Sequence, residues 1–144
     1  MTNGSKDIMG KVAVYAFLIG VVIALLVGLW QAYTLETDDV TDTLFVRTNN
    51  TGGIIAWVLV ILGAIVGILA VLGKGTITKA EVPSFLLAGI ALLVMYAVFG
   101  SVYMIVPYYI GSLLAGVSMA LSIFIAPAVG ILAIKAIWDI GKSV

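Results

Sequence analysis

The chain has 144 residues, of which 63% are hydrophobic and only 10% charged, with seven Lys and Arg balanced by seven Asp and Glu. A soluble domain carries about a quarter charged residues, so this composition, with a mean hydropathy of +1.27, excludes a water-soluble globule and points to an integral membrane protein. His and Cys are both missing, which removes disulfides, thiol nucleophiles, imidazole acid–base chemistry and the usual zinc and iron–sulfur ligands. The zero net charge, without any basic run, argues against nucleic acid as a partner.

A hydrocarbon core of about 30 Å takes roughly 20 apolar residues in a helix. The first such stretch, 12–33, carries no charge. Its apolar core from Val12 to Trp30 exceeds the roughly 7–15 residues of a secretory signal, and no small-x-small cleavage site follows, so it reads as a retained helix. A polar loop, 34–52, then holds Glu36, Asp38, Asp39, Asp42 and Arg47. The second span is 53–73. In the short turn after it, Thr78-Lys79-Ala80-Glu81 fits a capping box, in which Thr caps a helix and Glu reaches back to the Thr amide. Pro83 falls slightly late for an undistorted first turn, so the box is also read as a short interfacial turn that the proline bends into the membrane.

From Val82 to Ile134 the chain is uncharged. As one helix this run would be about 80 Å long, too long for one crossing. Pro107-Tyr108-Tyr109-Ile110-Gly111 marks the fold-back, because proline stops a helix, tyrosines favour the interface and glycine permits a tight turn. The third and fourth spans are therefore 83–106 and 109–134. The expected fold is all-α, a single-domain integral membrane four-helix bundle covering 1–144.

Lys6 and Lys11 precede the first span, Lys74 and Lys79 separate the second and third, and Lys135 and Lys142 follow the fourth. Four crossings put these three regions on one side, with only Arg47 opposite. The positive-inside rule makes that side, and both termini, cytoplasmic and turns the 34–52 loop outward. The aromatic residues agree. Trp30, Tyr33, Trp57, Tyr103, Tyr108 and Tyr109 fall near the outer boundary and Tyr15 and Trp138 near the inner one, where amphipathic rings are favoured.

Lipid is as apolar as Leu, so helices in it associate by close packing at small residues rather than by burial from water. Small residues four apart share a helix face. The first span has Gly20, Ala24 and Gly28, and the second has Gly63 and Gly67 as a GxxxG. The fourth has Ser118, Ser122, Ala126 and Gly130, with a second row at Ser112, Gly116 and Ala120. These rows predict tightly packed seams, within one chain or between chains, and at least one is expected to serve self-association. Pro127 should kink the fourth helix, with Ser118 and Ser122 absorbing part of the cost. A packing kink is favoured over a gating hinge.

The predicted spans hold no Asp, Glu, Lys, Arg or His. Proton relays, voltage sensors and most ion-coupled transporters need such groups within the bilayer, so catalysis and coupled transport are not expected, nor is a metal or cofactor. Gly73-Lys74-Gly75 is not a phosphate loop, since Ile68 stands where Walker A needs its first glycine and Gly75 where it needs Ser or Thr. A glycine C-cap explains it better. The acidic residues at 36–42 match no EF-hand spacing and read as a solvated loop rather than a cation site.

The segment from Thr76 to Leu86, the ending Phe124-Ile125-Ala126-Pro127-Ala128 with Leu132 to Ile137, and the Trp57 to Gly67 stretch together resemble a family of small four-span membrane proteins of archaea. That family has no established activity. The resemblance spans roughly the last two thirds of the chain, and implies an archaeal membrane and no particular chemistry.

The reading that best fits is a non-catalytic, multi-pass cell-membrane protein that self-associates as a structural or assembly component, a virion or vesicle membrane being a variant. Its partners would be lipid and further copies of itself. A passive pore-forming oligomer and an accessory subunit of a larger membrane complex are the alternatives. The topology makes a direct prediction. Asn49-Asn50-Thr51 and Asn3-Gly4-Ser5 are both sequons. In a glycosylating host, peptide mapping should find sugar on Asn49 and none on Asn3, and the reverse pattern would invert the topology.

Overall fold

The computed structural model describes residues 2–37, 50–75, 77–102 and 108–143. They form four helices, α1 (Thr2–Thr37), α2 (Asn50–Val71), α3 (Val82–Val102) and α4 (Tyr108–Lys142). Among the described residues there is no strand. Asp38, Asp39, Asp42, Arg47 and Asn49 of the outer loop, and Tyr103 and Pro107 at the fold-back, lie outside the described residues.

Each helix contains a stretch long and apolar enough to cross a bilayer: Ile8–Tyr33, Gly53–Val71, Val82–Val102 and Tyr109–Lys142. The chain is an all-α, multi-pass membrane protein. In hydrocarbon a backbone N–H or C=O has no water to bond, and a helix satisfies all of these groups within the segment. Two hydroxyls in the apolar stretches follow the same logic. Ser101 donates to the Ala97 carbonyl at 3.0 Å and Ser118 to the Leu114 carbonyl at 2.6 Å.

Helix lengths depart from the predicted spans. With 22 and 21 residues, α2 and α3 are about 32 Å long and match the hydrocarbon thickness. With 36 and 35 residues, α1 and α4 reach more than about 50 Å. Hydropathy locates the part of a helix that lies in lipid, whereas the helix itself runs on until something stops it. Nothing in Thr2–Lys11 or Lys135–Lys142 breaks the backbone pattern, and Lys135 pairs with Asp139 one turn later at 3.1 Å.

The end of α2 is set by glycine. Gly73 has φ +68°, and its amide bonds the Ala70 carbonyl at 3.1 Å while the Lys74 amide bonds that of Leu69 at 3.0 Å. This pair of bonds is a Schellman cap. Gly75 then folds back onto the helix so closely that a Cβ there would lie 2.7 Å from the Ala70 nitrogen. The turn before α3 holds half of the predicted capping box. The Thr78 amide donates to Glu81 Oε2 at 2.9 Å, while the Glu81 amide bonds the Thr78 carbonyl rather than its hydroxyl. Thr78–Glu81 is thus a turn ahead of the helix, and Pro83 sits in the first turn of α3, where a missing N–H costs nothing.

The helices do not pack as a symmetric square. α4 touches all three others, α1 also touches α2, and among the described residues α3 packs on α4 alone. The glycine contacts give the register. Gly20 meets Phe124 and Gly28 meets Val117, so α1 runs antiparallel to α4, while Gly63 meets Phe124 and Gly67 meets Ala128, so α2 runs parallel to it. The core is a file of Ala24, Leu59, Val66, Ala120, Phe124, Ala128 and Leu132. Large apolar side chains cover the outside of all four helices, far beyond the patches that water-soluble monomers expose.

Hydrogen bonds from Thr78, backbone first and then side chain, hold the exposed Glu81 carboxyl below its ordinary value. A depressed pKa contributes stability that is present above the unfolded value and is lost as pH falls through the folded one. Acid titration should move the Thr78 amide resonance with a midpoint below that of an ordinary Glu, and Glu81→Gln should abolish the movement.

Candidate functional site

Five of the predicted packing residues come together on α4. The Cβ that Gly20 lacks would fall within the Phe124 ring, and at Gly63 it would strike the Phe124 carbonyl. At Gly28 it would lie 2.7 Å from the Val117 Cα, and at Gly67 2.8 Å from the Ala128 Cα. Ala24 is fully buried beside them. The glycines let two helix backbones reach the α4 backbone, the close approach that replaces burial from water inside a bilayer.

Phe124 fills the gap that these glycines leave. It is the largest fully buried side chain, and its ring lies 6.2 Å from that of Phe17, tilted by 49°. It lies one step beyond the predicted row. Ser112, Gly116 and Ala120 continue at the same spacing through Phe124, Ala128 and Leu132, and all six are buried. The continuing four-residue interval was the available signal, but it passes from small residues to a large one. Gly116 meets Gly28 and Ala32 near the opposite end of the same interface, its absent Cβ 2.5 Å from the Gly28 carbonyl oxygen. Gln31 and Ser112 are buried in that region. On α3 the one buried residue is Gly89, packed against Val129.

The other predicted row divides. Ser118 and Ser122 are buried, but Ala126 and Gly130 are exposed, and a Cβ added at Gly130 would meet nothing within 4 Å. The straight seam Ser118–Ser122–Ala126–Gly130 is therefore not an intrachain contact along its whole length. Ala126 and Gly130 lie off the face that runs through Phe124, Ala128 and Leu132 and stays buried.

The expected compensation at Pro127 also differs. α4 remains helical through Pro127, whose missing amide frees the Ile123 carbonyl. A serine hydroxyl in a helix reaches back to the carbonyl three or four residues earlier. Ser118 accordingly bonds Leu114, and the Ser122 hydroxyl has no hydrogen-bond partner among the described residues. Neither serine can serve a carbonyl that lies after it in sequence.

At the lysine-bearing end, a cavity of about 480 Å³ opens between the end of α2, the turn before α3 and α4. Its walls are apolar, with Val71, Val82, Leu132 and Ala136, and its polar lining is Thr78, Lys79, Lys135 and Asp139. Two sequence features build it. The Gly73 cap and the Gly75 contact turn the chain back under α2, and Ile77 is buried into the core file. No local pattern marks this cavity, because Lys79 and Lys135 lie 56 positions apart and only the fold brings them to one opening. The chain matches no protein-family model, and no curated protein or solved structure matches it.

The contacts separate the glycines by consequence. Gly63→Ala should lower the unfolding temperature in detergent, since methyl and carbonyl cannot share one position without separating α2 from α4. Gly130→Ala should leave it unchanged or raise it, in line with the helix advantage of Ala over Gly of up to about 1 kcal/mol. Phe124→Ala should cost about 3 kcal/mol through the cavity it leaves. Thermal denaturation followed by circular dichroism measures all three.

Proposed function

We propose that this chain is a non-catalytic structural component of a membrane, assembling with copies of itself through the side of the bundle that carries Ala126 and Gly130. The observation that supports this is the division of the small-residue rows. Gly20, Ala24, Gly28, Gly63 and Gly67 are used inside the chain, whereas Ala126 and Gly130 are turned outward on the central helix. Next to them α3 is held, among the described residues, by α4 alone and buries one residue, Gly89. Small residues on an outward face permit another helix to approach closely, which large lipid-facing side chains do not. The absence of ionisable groups from the predicted spans favours a scaffold over a proton-coupled or ion-coupled machine. The resemblance to small archaeal four-span proteins points to an archaeal cell membrane as its setting.

The test uses the cysteine-free background. Ala126→Cys and Gly130→Cys, reconstituted at high protein-to-lipid ratio and oxidised, should form disulfide-linked dimers. Ala120→Cys, fully buried against the chain's own helices, should stay monomeric. Ala126→Leu combined with Gly130→Leu should shift native mass toward the monomer without loss of helicity. Monomers alone from both outward cysteines would sink the proposal.

A further inference from the structure

We infer that the cavity at the lysine-bearing end is a seat for the phosphate of an anionic lipid, with Lys79 and Lys135 as its cationic groups and the apolar walls receiving the upper part of the acyl chains.

Three observations carry the inference. The first is position. The cavity lies where α2 and α3 meet their boundary turn, with Val71 and Val82, the last and first residues of those helices, in its wall. That level is the membrane interface for two helices of hydrocarbon length. The second is charge. Lys79 and Lys135 reach the opening from different elements, against a single carboxylate, Asp139. Lys135 is paired with Asp139 on the solvent side at 3.1 Å, both partly exposed, and Lys79 makes no ion pair among the described residues. The lining itself thus holds two cationic groups and one carboxylate, and Glu81, whose carboxylate is bonded to the Thr78 amide, stands beside the rim without lining the cavity. Basic pockets between helices on the cytoplasmic side are suited to anionic headgroups.

The third observation is shape and polarity. Val71, Val82, Leu132 and Ala136 form the walls beneath a rim of Thr78 and the two lysines. A free phosphate would use the rim and leave the apolar walls unsatisfied, whereas a phospholipid uses both. The lysine stems can lie along the walls while their ammonium groups stay at headgroup level. The volume, about 480 Å³, falls within the range of small-molecule sites. The headgroup seat is independent of self-association, since Ala126 and Gly130 do not line it.

The experiment uses the full chain in nanodiscs of phosphatidylcholine containing a minor fraction of phosphatidylglycerol, released into the gas phase for native mass analysis. The wild-type chain should retain one phosphatidylglycerol in preference to phosphatidylcholine. Lys79→Gln with Lys135→Gln should weaken retention about 30-fold, the effect of removing two lysines at headgroup level. Lys142→Gln, whose ammonium lies over the Trp138 ring 5.4 Å from its centre and outside the cavity, should leave retention unchanged. Ala136→Phe should lower it without altering any charge, by filling the seat. Equal retention of the two lipids, or a double lysine variant that behaves as wild type while keeping its helicity, overturns the assignment. So does complete displacement of the lipid by millimolar inorganic phosphate at constant ionic strength, which would identify a soluble anion as the occupant.

Discussion

Every helix–helix contact within the apolar spans answers to one constraint: hydrocarbon offers helices no reward for hiding apolar surface from it. What remains is close contact between atoms, and close contact demands small residues where backbones meet. The glycines opposite Phe124 meet that demand. Gly20 takes its ring and Gly63 its carbonyl, so one residue of α4 fixes the positions of two helices from two other parts of the chain. Gly28 and Gly116 repeat the arrangement near the other end of the α1–α4 interface. α3 has one such site, Gly89, and is accordingly the least buried helix.

Much of this was legible in the residues. Apolar length alone placed four helices, since a bilayer admits few other solutions. The rows at Gly20–Ala24–Gly28 and Gly63–Gly67 lie where helices meet, since a missing Cβ is what lets two backbones approach this closely. The Gly73 cap was legible for a different reason, the left-handed backbone that glycine alone takes without strain. The outward direction of Ala126 and Gly130 was not legible. Lipid and protein interior are equally apolar, so hydropathy does not distinguish a face turned to one from a face turned to the other, and in these helices the apolar residues run all the way round. Phe124 was hidden for the complementary reason, that a large aromatic reads the same whether it lies in lipid or plugs a gap between glycines. The lysine-lined cavity depends on three separate elements meeting, which no local pattern encodes.

The polar and apolar parts of the molecule are built by different rules. Within the apolar spans, order comes from shape, and the hydroxyls of Ser101 and Ser118 are turned back onto their own helix. Below the end of α2 it comes from directed bonds: the cap at Gly73, the carboxylate of Glu81 on the Thr78 amide, and the Lys135–Asp139 pair. The Lys135–Asp139 pair is partly exposed and worth little on its own. Together these bonds set the boundary at which greasy helices become a charged rim.

The central place of α4 has a consequence for biosynthesis. Chains enter the membrane in order from the amino terminus, and α4 follows the other three helices, yet α1, α2 and α3 all take their main contacts from it. Until it arrives, α1 and α2 have only each other and α3 has no docking partner among them. The glycine faces of the first two helices wait, open to lipid, for a backbone that has not yet been translated. Most of the packing among these four helices therefore has its second partner only once α4 is in place.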